Sequence, residues 1–287
     1  MDAQNVLVIG GTGKTGSRVA AKLQQRGFVV ALGSKTKHGA GVVHFDWTAP
    51  ESFEPACAGV RAVYLIAPPG ALNPAPVMQA FIEKALQLQV TRFVLLSSSL
   101  LPEDGPAMGT VHGFLRRSAP EWAVLQPSWF MQNFSEGFHR ATIRNEGRII
   151  SATGSGAVPF INVDDIAEVA VRALIDRPSH DQAHLITGPQ ALTYREVAES
   201  IASVCGYPVR HENKSPQELA SHWVGLGLPS DYATLLAGMD EAISGGAENR
   251  TTTTVESVTG RRPCSFIEFV RANAPAWIPL DQHRQAN

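Results

Sequence analysis

Short runs of apolar, mostly β-branched residues alternate with segments of helical periodicity through the first half of the chain. This alternation is typical of a parallel sheet covered by helices on both faces. Apolar runs of this length predict buried parallel strands at Val6–Ile9, Phe28–Leu32, Val42–Phe45, Ala62–Ile66, Arg92–Ser97 and Trp122–Gln126. The pattern therefore predicts an α/β fold built on a Rossmann-type, doubly wound parallel sheet.

The pattern changes after about Gln126. Shorter strands are predicted at 149–150, 159–163 and 184–187, between helices with clear start signals. Thr193, Ser215 and Ser265 each stand three residues before a glutamate, which predicts a capping box at each helix start. We expect a cofactor domain over residues 1–150, with some strands contributed from 151–190, and a smaller α+β substrate lobe mainly over 151–287.

The first predicted strand leads directly into a glycine-rich turn and then into a helical pattern. Glycines at G-x-x-G-x-x-G spacing allow a tight turn, close approach of a pyrophosphate, and packing of the helix onto the strand. The alternative is a glycine-rich turn that binds nothing. The context favours dinucleotide binding, with contacts expected from Gly10, Thr12, Gly13, Lys14, Thr15 and Gly16.

The second predicted strand ends without a carboxylate. Proteins that prefer NAD usually carry an acidic residue there, bonded to the ribose 2′-hydroxyl. Here Ser34 is followed by two lysines, Lys35 and Lys37. A hydroxyl and two ammonium groups suit a 2′-phosphate, although loop lysines are also commonly just solvated. Asp46, after the third strand, is a candidate acceptor for the adenine amino group or a loop cap. The charges favour NADP(H) over NAD(H).

Further cofactor contacts are expected where the later strands end, because ligands of open α/β sheets lie outside the carboxyl ends of the strands. The fourth strand is followed by residues without bulky side chains, and the fifth by serines. The residues expected to line the site are Ala67, Pro68, Pro69, Ser97, Ser98 and Pro127.

The Tyr-x-x-x-Lys pair that short-chain dehydrogenases use to reduce carbonyls is absent, since none of the four tyrosines has a lysine four residues later. Reduction of a ketone creates an alkoxide and needs a proton donor. A quinone or enone needs such a donor less, and an iminium ion yields a neutral amine directly. The missing pair thus favours electrophiles that are already activated, or a protein without hydride chemistry.

Several segments resemble one family. They are Gly10–Gly16, Phe93–Ser98, Gly105–Gly109 with His112-Gly113, Pro127–Met131 with Asn133-Phe134, and Pro159–Ala167. The chain is similar to the NmrA-like branch of atypical short-chain dehydrogenases. Gly105–Phe134 and Leu192–Val197 resemble the festuclavine and agroclavine synthases of ergot alkaloid biosynthesis. The resemblance implies NAD(P)H-dependent reduction of an iminium. Gln126 departs from the family, where arginine is usual.

Three residues are candidates for the chemistry itself. His112 lies on the helix that should face the cofactor, where it could donate a proton or bond the nicotinamide ribose, unless it is a surface histidine. Trp129 and Phe130 follow the sixth strand and suit a flat or cyclic, possibly cationic substrate through stacking and cation–π attraction. The alternative is that these rings only pack the lobe against the sheet.

Composition narrows the remaining classes. The net charge of −2 and scattered basic residues predict no nucleic-acid partner. No apolar run approaches the ~20 residues of a membrane span, and the three cysteines lack metal-ligand spacing. We expect a cytoplasmic reductase with a small-molecule substrate, no metal, no membrane partner and potential for homodimers. A quinone, enone or dye reductase and a non-catalytic NADP(H)-sensing regulator are the alternatives.

Overall fold

The structure, a computed structural model, describes residues 5–278. The first half of the chain contains β1 (Asn5–Ile9), α1 (Lys14–Gln25), β2 (Val29–Ser34), β3 (Val42–His44), α2 (Phe53–Ala56), β4 (Ala62–Leu65), α3 (Ala75–Gln87), β5 (Arg92–Leu96), α4 (Met108–Ser118), β6 (Glu121–Pro127), α5 (Gln132–Ser135) and α6 (His139–Glu146). The second half contains β7 (Arg148–Ser151), β8 (Ala157–Val158), α7 (Val163–Ile175), β9 (Gln182–Ile186), β10 (Leu192–Thr193), α8 (Tyr194–Cys205), β11 (Arg210–Asn213), α9 (Pro216–Gly225), α10 (Ser230–Ser244), α11 (Thr254–Thr259) and α12 (Phe266–Asn273).

The chain forms two compact units. The first comprises residues up to Pro127, Val163–Ile186 and Thr254–Arg261, and the second comprises the remaining segments. The chain leaves the first unit directly after β6. It returns to the first unit with α7 and β9, over Val163–Ile186.

The first unit is built on a seven-stranded sheet in the order β3-β2-β1-β4-β5-β6-β9. All six strand pairs are parallel. The predicted Rossmann-type sheet is confirmed, and its strand order reverses between β1 and β4, where such folds bind their ligands.

Side-chain alternation along the strands creates two buried faces. Leu7, Val63 and Phe93 pack into one core with α3 and α4, and the intervening strand residues point to the opposite face. On α3 the buried stripe includes Met78 and Ile82. Val77 and Leu88 flank this stripe and are half-buried against the same core.

The second unit contains two small sheets, the parallel pair β7–β11 and the antiparallel pair β8–β10. Its core is aromatic. The rings of Phe134, Phe160 and Tyr194 contact one another, and the indole Nε1–H of Trp277 donates to the Phe134 carbonyl at 2.7 Å. The unit is thus held together by ring packing around short strands.

All three predicted capping boxes are confirmed. In each, the hydroxyl of Thr193, Ser215 or Ser265 accepts from the backbone N–H three residues later, and the glutamate there accepts in return. The predicted strand 159–163 is wrong. Pro159 lacks the N–H that a ladder requires, and α7 begins at Val163 with Asp164 and Asp165 in its first turn, where acidic side chains favour helix formation.

Within residues 5–278, no helix combines the length and the apolar character that crossing a membrane would require.

Candidate cofactor site

The glycine turn between β1 and α1 is too tight for side chains at its key positions. Gly10 has a φ of +67°, and its carbonyl oxygen accepts from the N–H of Gly13 at 2.8 Å. A Cβ on Gly16 would lie 2.3 Å from the same oxygen. α1 thus packs directly on the turn, as a dinucleotide fold requires.

The first turn of α1 has the features of an anion-binding helix start. Its N-cap is Gly13, which supplies no side-chain acceptor, and the turn carries no acidic residue. Thr15 is buried beneath the turn, whereas Thr12 is exposed and Lys14 is half-exposed. A helix start without its own cap and without negative charge matches the phosphate-binding ends of helices.

The ends of β2 and β3 bring together three of the predicted residues. Ser34 pairs with His44 in the parallel register, so the residues that follow Ser34 lie next to those that follow His44. Lys35 Nζ lies 2.9 Å from Asp46 Oδ2. The Ser34 hydroxyl accepts from the backbone N–H of Lys37 at 3.0 Å. The charged groups predicted to read the adenosine part of the cofactor therefore contact each other.

The remaining predicted cofactor contacts also lie at the carboxyl edge of the sheet. Ala67, Pro68 and Pro69 follow β4 and are at least partly exposed. The Ser97 hydroxyl is buried and has no hydrogen-bond partner within residues 5–278, whereas Ser98 is half-buried. A buried hydroxyl without a partner at this edge fits a ligand that supplies one.

Pro127 ends β6 at the same edge, and its carbonyl accepts from the N–H of Ser99 at 3.0 Å. Gln126 donates from Nε2 to the Leu101 carbonyl at 2.7 Å. In this chain Gln126 thus ties β6 to the loop that leaves β5. The roles of all these residues as cofactor contacts stay predictions.

The loop between β5 and α4 holds strained backbone that no sequence motif indicates. Ala107 has a φ of +53° and Asp104 a φ of +57°. The loop closes on itself, since the Asp104 N–H donates to the Gly109 carbonyl at 2.9 Å, and a Cβ on Gly109 would lie 2.3 Å from the Pro102 carbonyl oxygen. Strain of this kind is maintained most often beside functional sites.

His112 is not at the surface. It is only 4% exposed, and neither ring nitrogen has a hydrogen-bond partner within residues 5–278. Its nearest carboxylate, that of Glu103, is 3.9 Å away. Burial lowers the pKa of His112, so the ring is neutral. The ring packs beside Trp122, with 5.6 Å between centroids, near the amino end of β6.

The predicted substrate residues belong to the second unit. Trp129 and Phe130 are half-buried, whereas Phe134 is fully buried. The segment is held by backbone bonds, because the Ile161 N–H donates to the Trp129 carbonyl and the Met131 N–H to the Ile161 carbonyl, both at 2.9 Å. The partly open rings suit a binding role, and Phe134 is a core residue.

A buried tyrosine and a buried Ser–Glu pair have no signal in the sequence. Tyr64 is fully buried near the carboxyl end of β4 beside Thr15, and burial raises its pKa. In the second unit, the Ser128 hydroxyl donates at 2.6 Å to Glu248, a carboxylate that is 1% exposed. Glu248 is 120 positions away from Ser128 in sequence, so only the fold could reveal that it anchors the start of the Trp129 segment.

The chain matches a known family and several named relatives. Residues 10–177 match the NAD(P)H-binding family. An uncharacterized oxidoreductase of Bacillus subtilis is 46% identical over 96% of this chain and 98% of its own. Agroclavine dehydrogenase of Claviceps fusiformis is 38% identical over 96% of this chain and 99% of its own.

The fold is also that of a solved reductase. The NADPH-dependent quinone oxidoreductase of Escherichia coli, in complex with NADPH, superposes with a TM-score of 0.80 and 21% identity, covering 93% of this chain and 99% of its own. The resemblance to the clavine enzymes that the sequence indicated is confirmed. The chain belongs to the NAD(P)H-binding family and is an NAD(P)H-dependent oxidoreductase.

Proposed function

We propose that the protein is an NADPH-dependent reductase of a cyclic imine or iminium ion. The observation that carries this proposal is the inner face of α4. Helix α4 contains no tyrosine or lysine. Its one buried ionisable residue, His112, is neutral and packs against Trp122. An acceptor that needs no proton from this helix is therefore favoured, and an iminium ion is such an acceptor.

The residues of the turn and sheet edge suit the cofactor. The first turn of α1 would hold the pyrophosphate, and Lys35 would meet the 2′-phosphate. The reduced nicotinamide supplies a hydride when it is bound. Trp129 and Phe130 would orient a flat substrate and exclude water from it. The 38% identity to an agroclavine dehydrogenase over nearly the full length supports a clavine-like substrate class.

A panel of acceptors tests the reaction. We expect oxidation of NADPH with an N-alkylated cyclic iminium salt, at a rate that stays constant between about pH 6 and pH 9 because no enzymatic proton is consumed. A simple ketone should not react. The measurement is the absorbance of reduced nicotinamide, with NADH run in parallel.

Other outcomes of this panel point to the alternatives. If quinones or azo dyes were turned over faster than any iminium, the protein would be a quinone or dye reductase and not an iminium reductase. Tight binding of both oxidised and reduced cofactor, without turnover of any acceptor, would indicate a redox-sensing regulator.

His112→Phe separates packing from catalysis. The substitution replaces the imidazole with a phenyl ring and so removes two buried nitrogens that have no partners. We therefore expect the variant to gain about 1 kcal/mol in stability. Turnover should stay within about threefold of wild type. Thermal unfolding and kcat for the iminium are the measurements. A fall in kcat of about 100-fold in a folded variant would make His112 a proton donor and would favour the quinone or enone reading.

A further inference from the structure

An ion pair connects the two strand ends that should surround the adenosine ribose. Lys35 directly follows β2, and Asp46 stands two residues beyond β3. The strands approach closely here, since a Cβ on Gly33 would lie 3.3 Å from the Cβ of Phe45. In this geometry, Lys35 Nζ and Asp46 Oδ2 are 2.9 Å apart. The cation expected to bind a 2′-phosphate is thus already engaged by a carboxylate.

The two partners differ in mobility. The Asp46 side chain is 13% exposed, whereas that of Lys35 is 61% exposed. Asp46 Oδ1 accepts from the backbone N–H of Thr48 at 2.9 Å and from its hydroxyl at 2.8 Å. The Asp46 N–H donates to the Ser52 hydroxyl at 3.1 Å. The carboxylate is therefore fixed by its own turn, and the ammonium is the partner that can move.

The charge of Asp46 persists at every working pH. Its hydrogen bonds from Thr48, together with that from Lys35, lower its pKa to about 2. The Asp46 carboxylate already lies within hydrogen-bond distance of the Lys35 ammonium. A 2′-phosphate that approaches the same ammonium is therefore repelled by the carboxylate. The neutral 2′-hydroxyl of NADH meets no such opposition.

We propose that Asp46 competes with the 2′-phosphate of NADP(H) for Lys35 and so narrows the preference for NADPH over NADH. This inference rests on the proposed use of NADPH. Binding of the phosphate must draw the ammonium away from Asp46 or share it, and in either case a fixed carboxylate remains beside a dianion. Asp46 thus acts as a specificity-determining residue that weakens the charge discrimination Lys35 creates.

Asp46→Asn tests the competition with little change in shape. The amide oxygen can still accept from Thr48. The amide N–H₂ then replaces the oxygen that faced Lys35, so the charge and the acceptor for the ammonium are both removed. We expect the Kd for NADPH to fall about two- to fivefold, and the Kd for NADH to change by less than about twofold. Equilibrium titration of the full-length protein measures both. Adenosine 2′,5′-bisphosphate and adenosine 5′-phosphate repeat the comparison without nicotinamide. The effect should be larger at pH 8, where the 2′-phosphate is a dianion, than at pH 6, where it is partly protonated, and it should be smaller in high salt.

Two lysine variants complete the design. Lys35→Ala should weaken NADPH about tenfold, and the gain from Asp46→Asn should shrink in that background, as a double-mutant cycle would show. Lys37→Ala, which removes the same charge two residues further on, is the matched control and should leave the gain intact. Asp46→Ser keeps an acceptor for Thr48 and serves as a second charge-removing variant should Asp46→Asn not fold.

The outcomes separate this inference from the proposed function. If wild-type protein does not bind NADPH, the proposed use of NADPH is wrong. If wild type binds NADPH but Lys35→Ala leaves the affinity unchanged, Lys35 does not meet the 2′-phosphate, and the competition is overturned while the use of NADPH stands. If Lys35→Ala weakens NADPH but removal of the Asp46 charge leaves the NADPH-to-NADH ratio unchanged or lowers it, only the competition is overturned.

Discussion

Gly16→Ala should abolish binding of NADPH and NADH alike, with a loss of at least about 100-fold in affinity. The added Cβ would lie 2.3 Å from the Gly10 carbonyl oxygen and 2.8 Å from its carbon. Both are backbone atoms, and the oxygen is fixed by its bond from Gly13. The turn must therefore open, which moves the first-turn N–H groups of α1 away from the phosphates. Equilibrium titration with each cofactor measures the loss.

Gly238→Ala provides the matched control. It makes the same change within another helix, α10, where a Cβ meets no atom within 4 Å. We expect unchanged cofactor binding and a gain of up to about 1 kcal/mol in stability, because alanine is the better helix former. A folded Gly16→Ala protein that binds either cofactor within tenfold of wild type would mean that the phosphates do not lie over this turn.

The glycine turn was predictable because its requirements are local. Gly10, Gly13 and Gly16 lie within seven residues, and the apolar run before them is short, rich in β-branched residues and ended by glycine, which favours a buried strand over a helix. The parallel sheet was predictable for the same reason, since strands buried on both faces produce continuous apolar runs. The capping boxes at Thr193, Ser215 and Ser265 each depend on just four residues.

What could not be predicted depends on register and rotation. Lys35 and Asp46 were both identified, but their contact follows from the pairing of β2 with β3, which the sequence does not display. His112 was placed on the correct helix, yet only the rotation of α4 shows that its ring faces Trp122. The positive φ of Ala107 has no sequence signal at all, because alanine rarely adopts it.

Asp240→Asn should stabilise the protein at neutral pH. Asp240 lies on α10, is 3% exposed, and accepts from the Ala152 N–H at 2.9 Å. Within residues 5–278, no lysine, arginine or histidine forms an ion pair with it, so burial raises its pKa from 3.8 to about 6. The buried charge then costs on the order of 3 kcal/mol above that pH.

The sign of the pH dependence follows from this raised pKa. Between about pH 4 and pH 6 the folded protein holds a proton that the unfolded chain has released, so the contribution of Asp240 to stability is lost as the pH rises through about 6. Asparagine keeps an acceptor for Ala152 but buries an amide N–H₂ without an assigned partner, which offsets part of the gain. We therefore expect Asp240→Asn to raise the free energy of unfolding by about 1–2 kcal/mol at pH 8.

The gain should disappear near pH 4, where the carboxyl group of wild type is itself neutral in the folded state. Denaturant unfolding of both proteins from pH 4 to pH 8 measures the difference. Glu241→Gln, which neutralises the exposed neighbour on the same helix, should leave stability within about 0.5 kcal/mol at every pH. If Asp240→Asn were neutral or destabilising at pH 8, the Asp240 carboxylate would have to be solvated or paired in solution, and α10 would pack less tightly over Ala152 than the structure indicates.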